Sequence, residues 1–294
     1  MKNRKSKSER ETKNTRSQVG EIWHRFRKNK LALVSLIFIL GLIVIAIFAD
    51  YVAPYNYAKQ DLLNKLSMPS FQHPMGTDDF GRDILSRIIY GSRVSLLVAF
   101  ISVAGSVLVA TIIGSMCGYF GGRFDNIAMR ILDVFMAIPG LLLMISLATA
   151  LGPGIVNTAI AVSVSGLPGL VRVVRSSVLL LRSEEYIEAA KAFGSSHLKV
   201  IWRHIIPNTL APMIVQATLK FGEAIMAIAS LSFLGLGVQP PTPEWGSILS
   251  NGKEYVRTFW PIITFPGITI AITMLAFNLL GDGLRDAMDP RLKR

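Results

Sequence analysis

Apolar residues in this chain gather into runs close to the ~20 residues that cross the ~30 Å hydrocarbon core of a bilayer. Six such runs are read: Leu31–Phe48, Val94–Gly118, Ala128–Leu151, Ile155–Val174, Met213–Leu236 and Ile262–Leu280. They predict an all-α membrane protein with six transmembrane helices, because a helix satisfies its own backbone groups in lipid. Pro139, Pro168 and Pro266 fall inside the third, fourth and sixth runs and predict kinks there. The fourth run is the weakest, since Gly166–Gly169 holds a proline and two glycines. Gly114 and Gly118 form a GxxxG pair in the second, the spacing of a close helix contact.

One stretch between the fourth and fifth runs has a different period. Ser183 to Pro207 reads as two short amphipathic helices meeting at a glycine. Ser183 is the expected N-cap, with Glu184 and Glu185 in the first turn where the helix dipole favours negative charge. Tyr186, Ala189, Ala190 and Phe193 fall at i, i+3, i+4 and i+7 and make one apolar stripe. Gly194 is the expected stop. Ser195 or Ser196 caps the next helix, with a stripe of Leu198, Ile201, Trp202 and Ile205 and an end at Pro207. An apolar stripe hung between membrane spans needs a partner, so this segment predicts a docking site on an aqueous face.

Charge sets the orientation. The net charge is +12, and eleven Lys and Arg lie in residues 1–30, directly before the first run. The positive-inside rule places that tail, and after six spans the C-terminus too, in the cytoplasm. Membrane lipid is then a partner, since each basic residue near an anionic leaflet adds ~1 kcal/mol. This distribution argues against nucleic-acid binding, and the length of the basic stretch argues against a cleaved signal peptide. Residues 1–18 are expected to be disordered. The lone Cys117 cannot form an intramolecular disulfide and reads as a small packing residue.

The chain divides into a basic cytoplasmic tail (1–30), a first span plus extracytoplasmic segment (31–91), and a five-helix core (92–294) that carries the 183–207 loop. Tyr51, Tyr55, Tyr57, Tyr119, Phe120 and Trp260 stand at span ends, where aromatic belts form. In the outer segment, Asp79 is expected to cap a helix with Ile84, Leu85, Ile88 and Ile89 on its apolar face, lying on the membrane surface or on the other spans. His73, Asp78, Asp79 and Asp83 lack recurring metal-ligand spacing and read as caps and surface ion pairs. Trp245, in the proline-rich stretch Gln239–Gly246, is expected at the bilayer interface or on an outer partner.

Catalytic signatures do not appear. There is no Walker A GxxxxGK(S/T), no HExxH and no GxSxG, so the chain reads as neither an ATPase nor an intramembrane hydrolase, binding no cofactor or metal of its own. Lys220 and Glu223, at i, i+3 in the fifth span, are candidates to line a translocation path or, equally, to form a structural pair. Arg130 and Asp133 read as a structural pair, and Asn157 and Asn278 as weaker polar candidates.

These motifs converge on a family. Glu188-Ala189-Ala190, then Gly194 and Pro207, resemble the EAA loop of bacterial ABC importer permeases. The usual pattern has an isoleucine ten residues after the glycine and a leucine before the proline; this chain has His204 and Ile206. RHIIPN (203–208) is similar to the variant of the peptide and nickel importer branch. HPMGTDDFGRD (73–83), LSFLGLGVQPPTPEWG (231–246) and GDGLRDAMDPR (281–291) resemble signatures of that branch's C-type permease. The resemblance implies the type I importer permease fold, with Tyr186, Glu188, Ala189, Ala190, Phe193, Gly194 and Pro207 in a coupling helix docked on an ATPase. It also implies a second homologous permease, two ATPase subunits that hold ATP and Mg, and an extracytoplasmic substrate-binding protein. Dipeptides or oligopeptides are the implied substrates, with nickel or a metal chelate as the alternative. A membrane receptor or scaffold is the reading from another class.

Overall fold

The computed structural model describes residues 18–289. The expected disorder at the start of the basic tail and the last two residues of the 281–291 motif lie outside those residues. The described chain forms α1 (Gln18–Phe26), α2 (Lys30–Ile47), α3 (Ala49–Val52), α4 (Ile84–Phe120), α5 (Gly122–Ala137), α6 (Gly140–Leu151) and α7 (Ile155–Leu181). These are followed by α8 (Glu185–Ala192), α9 (His197–Val200), a π-helical turn (Ile201–Ile205), α10 (Ile206–Phe233), α11 (Trp245–Gly252) and α12 (Pro261–Met288). Five helical segments are long and apolar enough to cross a membrane, and the α5–α6 pair makes a sixth crossing if its bent halves count as one.

The third span, expected over Ala128–Leu151 with a kink at Pro139, is bent further than a kinked single helix. It breaks at Ile138 and Pro139, and its halves meet at 93°. Proline lacks an N–H and biases the residue before it toward extended backbone, and Ile138 is extended (ψ 128°). The pair still crosses. α4 and α7 run parallel, since Gly114 lies against Val174 and Gly118 against Val178. The chain between them must therefore return from one end of the bundle to the other. The fourth span, by contrast, is one unbroken 27-residue helix with Pro168 inside it.

Close approach at small residues holds the bundle. A Cβ on Gly114 would stand 2.6 Å from the Val174 Cβ, and one on Gly118 2.7 Å from the Val178 Cβ, so the GxxxG pair is the α4–α7 contact. Cys117 is buried beside it, as expected. On the other side Phe221 stacks on Phe277 at 4.3 Å between α10 and α12. Gly283 meets Ala32, which puts the start of α2 and the end of α12 at the same end of the molecule. The described part of the expected basic tail packs there: α1 buries Phe26, and Arg25 donates to the Asp289 carbonyl at 3.3 Å.

The segment before α4 corrects two expectations. The apolar face Ile84–Ile89 is not a separate helix but the first turns of α4, which runs 37 residues, about 55 Å. Asp83, not Asp79, caps it, accepting from the Ser86 N–H at 2.7 Å. His73 Nδ1 bonds the other Asp83 oxygen at 2.9 Å, and Asp78 accepts from Arg82 Nε at 2.6 Å. These are caps and ion pairs, as read, but buried rather than superficial. Arg93 donates to the carbonyls of Ala46 and Ile47 at 2.9 and 3.0 Å, joining the C-terminus of α2 to α4.

Trp245 also departs from expectation. It is fully buried, donating from Nε1 to the Ile88 carbonyl at 3.0 Å. Glu244 caps α11 in a capping box with Ser247 and accepts from Ser95 Oγ at 3.1 Å. The proline-rich stretch folds back over the start of α4, and its tryptophan anchors it there.

Candidate functional site

Two features stand at opposite levels of the bundle: a loop at the end where α4 and α7 finish, and a cavity midway along α10.

The loop is built on α8. Glu184 is its N-cap residue without a side-chain bond, whereas Ser183 Oγ donates back to the Leu180 carbonyl at 3.0 Å, so Ser183 closes α7 instead of opening α8. Gly194 ends α8 as read. Its φ is +80°, and the Ser195 and Gly194 N–H groups bond the Ala190 and Lys191 carbonyls at 3.0 and 2.9 Å. This is a Schellman motif, which needs the left-handed backbone that glycine adopts without penalty. Ser196 caps α9 by accepting from the Lys199 N–H. Pro207 does not end that helix. The chain passes through the π turn into α10, and Pro207 sits in the first turn of α10, where its missing N–H costs nothing.

The expected stripe is the outward face of the loop. Tyr186 and Ala189 are exposed, Phe193 is 90% exposed, and Ala190 is half-buried. Leu198 and Trp202 continue the row at 64% and 61% exposure, while Ile201 and Ile205 of the same expected stripe turn inward. The root, which the periodicity did not single out, is Ile187. It is fully buried among Tyr119, Val174, Val178, Val200 and Met213. Ile187 is the apolar position that the stripe leaves out, and Ala190, half-buried, sits at the boundary between the two. A helix apolar on both sides has two partners to meet, and that was the available signal.

Tyr119 adds a polar link between the loop and α4. Its hydroxyl lies 2.9 Å from His197 Nδ1, and Lys191 Nζ stands 5.1 Å from the centre of its ring. Partial burial, reinforced by the Glu184 carboxylate, pushes the Tyr186 phenol above its ordinary value, so it stays neutral. Nothing lies within 4 Å of where a Gly194 side chain would begin.

The cavity, about 210 Å³, lies between α4, α6, α7 and α10. Lys220 and Glu223 both line it, joined at 2.5 Å. Lys220 stands 14 residues into α10, about 21 Å from its start, which places the pair at mid-depth and not at a span end. The other polar candidates are elsewhere. Asn157 caps the turn after α6 by donating to the Leu151 and Gly152 carbonyls. Asp133 pairs with Arg172 on α7, not with Arg130. Asp125 forms a bidentate pair with Arg175, both contacts 2.5 Å, unread in the sequence because its partner is 50 residues away.

Comparison with known proteins gives concordant likenesses. Residues 110–294 match the family described as binding-protein-dependent transport system inner membrane component, and residues 17–74 match the N-terminal TM domain of oligopeptide transport permease C. A dipeptide transport system permease protein from Alkalihalophilus pseudofirmus is 47% identical, over 93% of this chain and 90% of its own. A di/tripeptide transport system permease protein from Pseudomonas aeruginosa is 42% identical, over 94% and 93%. A glutathione transport system permease protein from Escherichia coli is 44% identical, over 93% and 90%. Among solved structures, the MetNI methionine ABC transporter in an inward facing conformation has a chain that aligns with a TM-score of 0.53 at 15% identity, covering 70% of this chain and 98% of that one. This last likeness speaks to fold alone.

Proposed function

This chain belongs to the family of binding-protein-dependent transport system inner membrane components, as a C-type permease of a peptide ABC importer, and from that premise we propose that it forms half of a path for dipeptides or oligopeptides across the bacterial cytoplasmic membrane. It is a multi-pass permease subunit and not an enzyme; the ATPase is a separate subunit. A second homologous permease completes the path. Of two ATPase subunits, which hold ATP and Mg, one docks on the 183–207 loop, and an extracytoplasmic binding protein delivers substrate to the opposite end. Both ends of the described chain then face the cytoplasm, in keeping with the basic residues at 1–30.

The observation that carries this reading is the two-sided α8. Its exposed row Tyr186, Ala189, Phe193, Leu198 and Trp202 offers a partner an apolar surface, while Ile187 roots the same helix among α4, α7 and α10. A push on the outer face therefore reaches three crossings through one buried side chain. Lys220 and Glu223 line the path at mid-depth. Affinity purification in mild detergent is expected to recover a second permease and ATPase subunits. Gly194→Arg is expected to abolish uptake of a labelled dipeptide while the chain still assembles in the membrane: a Cβ there meets no atom within 4 Å, and the strain of a side chain at φ +80° is confined to the end of α8. Unimpaired uptake by that variant would remove the coupling assignment, and uptake of nickel in place of dipeptide would move the substrate to the metal-chelate alternative.

A further inference from the structure

The cavity beside α10 has walls that offer a solute few contacts. Ser102, Ser106 and Ser165 face it, and each hydroxyl donates to a backbone carbonyl, those of Val98, of Ser102 and Ser163, and of Val162. Gly140, Gly166, Ala224 and Ala227 share the remaining surface with Val103, Leu141, Met144, Val162 and Leu170. Such a wall is apolar apart from the serine oxygens, which have spent their donors and can only accept. What it does present is an ammonium and a carboxylate on one face of a helix, closed on each other at 2.5 Å, with Lys220 29% and Glu223 59% exposed.

A charge at this depth is costly when unmatched, and the closed pair lowers that cost. A solute can open the pair only if it matches both charges at once. A cation or an anion alone leaves one side chain bare, and a neutral solute leaves both. A zwitterion replaces each partner. Gly140 and Leu141 also line the cavity as the first residues of α6, so the positive end of that broken helix adds to Lys220.

Resting on the importer reading above, we infer that Lys220 and Glu223 form a substrate subsite for the two ends of a short unblocked peptide. Lys220 takes the carboxylate and Glu223 the α-ammonium. The peptide's side chains lie against the apolar wall of Val103, Leu141, Met144, Val162 and Leu170.

The test uses the assembled transporter in proteoliposomes, with its partner permease, ATPases and binding protein. Uptake is measured for labelled dialanine, its C-terminal amide and its N-acetyl form. Lys220→Met is expected to lower the maximal rate for dialanine about tenfold, the loss of one charge-assisted hydrogen bond, and to leave the rate for the amide within about twofold of wild type. Glu223→Gln is expected to do the same for dialanine and to spare the N-acetyl form. Each ratio is taken within one peptide, so selection by the binding protein cancels. Where the binding protein does not deliver a blocked form, its competition with labelled dialanine for the complex lacking that protein must show the same pattern. If a single variant fails to assemble, Lys220→Met with Glu223→Gln leaves no lone charge and should move all three peptides at one slow rate. Equal slowing of all peptides by each single variant, or no slowing, overturns this inference alone. Failure of the wild-type complex to import dialanine overturns the peptide reading and this inference with it.

Discussion

Glu244 shows how a single side chain can tie an outer loop to the bundle and make it sensitive to pH. Its carboxyl is almost wholly buried, accepting from Ser95 Oγ and from the Ser247 N–H at 3.1 and 3.0 Å. Burial pushes it above its ordinary 4.5, against hydrogen bonds that favour the anion. The folded chain thus holds this proton more tightly than the unfolded chain. Stability from this group is fully present below the unfolded value and is lost as pH rises through the raised folded value. Thermal unfolding in detergent should therefore show the midpoint falling across that window, and Glu244→Gln should flatten this contribution. Glu244→Ala leaves Ser95 and the Ser247 N–H without their acceptor and should cost about 1–3 kcal/mol at any pH. At the same scale, Gly118→Leu places carbon where Val178 already stands. It should destabilise the α4–α7 contact by at least the 1–3 kcal/mol typical of overpacking, read as a lower unfolding midpoint.

Among the elements, α8 and the α5–α6 break carry the movable parts. Ile187→Ala empties a fully buried site and should cost about 2–5 kcal/mol in the root of the loop. Hydrogen exchange over residues 183–195 should then quicken more than exchange in α12. Tyr119→Phe removes only the bond to His197 and should cost about 0.5–1.5 kcal/mol. Its sharper effect is expected on the ratio of peptide imported to ATP hydrolysed, since it loosens the link between loop and α4 while leaving the exposed docking row intact. The bent pair is held to α7 by Asp125–Arg175 and Asp133–Arg172. Both aspartates lie on α5, so Asp125→Asn should speed exchange in α5 before it affects α10.

At the scale of the whole molecule, the crossings form a lever with a fixed and a driven side. α10 and α12 pack antiparallel through Gly222, Gly281 and the Phe221–Phe277 stack, and α2 joins them at Ala32. α4 and α7 pack as a parallel pair whose ends reach α8 through Tyr119, Val174 and Val178. The cavity with Lys220 and Glu223 lies between these two groups. A displacement of α8 is thus expected to change the width of the cavity. A cysteine pair placed across it on α7 and α10, in the assembled transporter, should cross-link at different rates with and without ATP.

The crossings, the end of α8 at Gly194 and the α4–α7 contact were legible in the chain because each rests on a local rule. A bilayer sets a minimum length for an apolar run, glycine tolerates the left-handed turn at 194, and a GxxxG spacing puts two small residues on one face. The break at Pro139 was legible as a kink, but its 93° angle and the charges on α7 that hold the bent pair were not. Tertiary structure alone decided which face of α8 turns inward, since both faces are apolar and only packing against Val174 and Val178 chooses Ile187. It also decided that Trp245 is an anchor and not an interfacial belt residue. The sequence carries the size and polarity of that ring, whereas the Ile88 carbonyl that receives its N–H lies 157 residues away. Pairings at such separations, Asp125 with Arg175 among them, follow from how helices stack, and no periodicity along one segment encodes them.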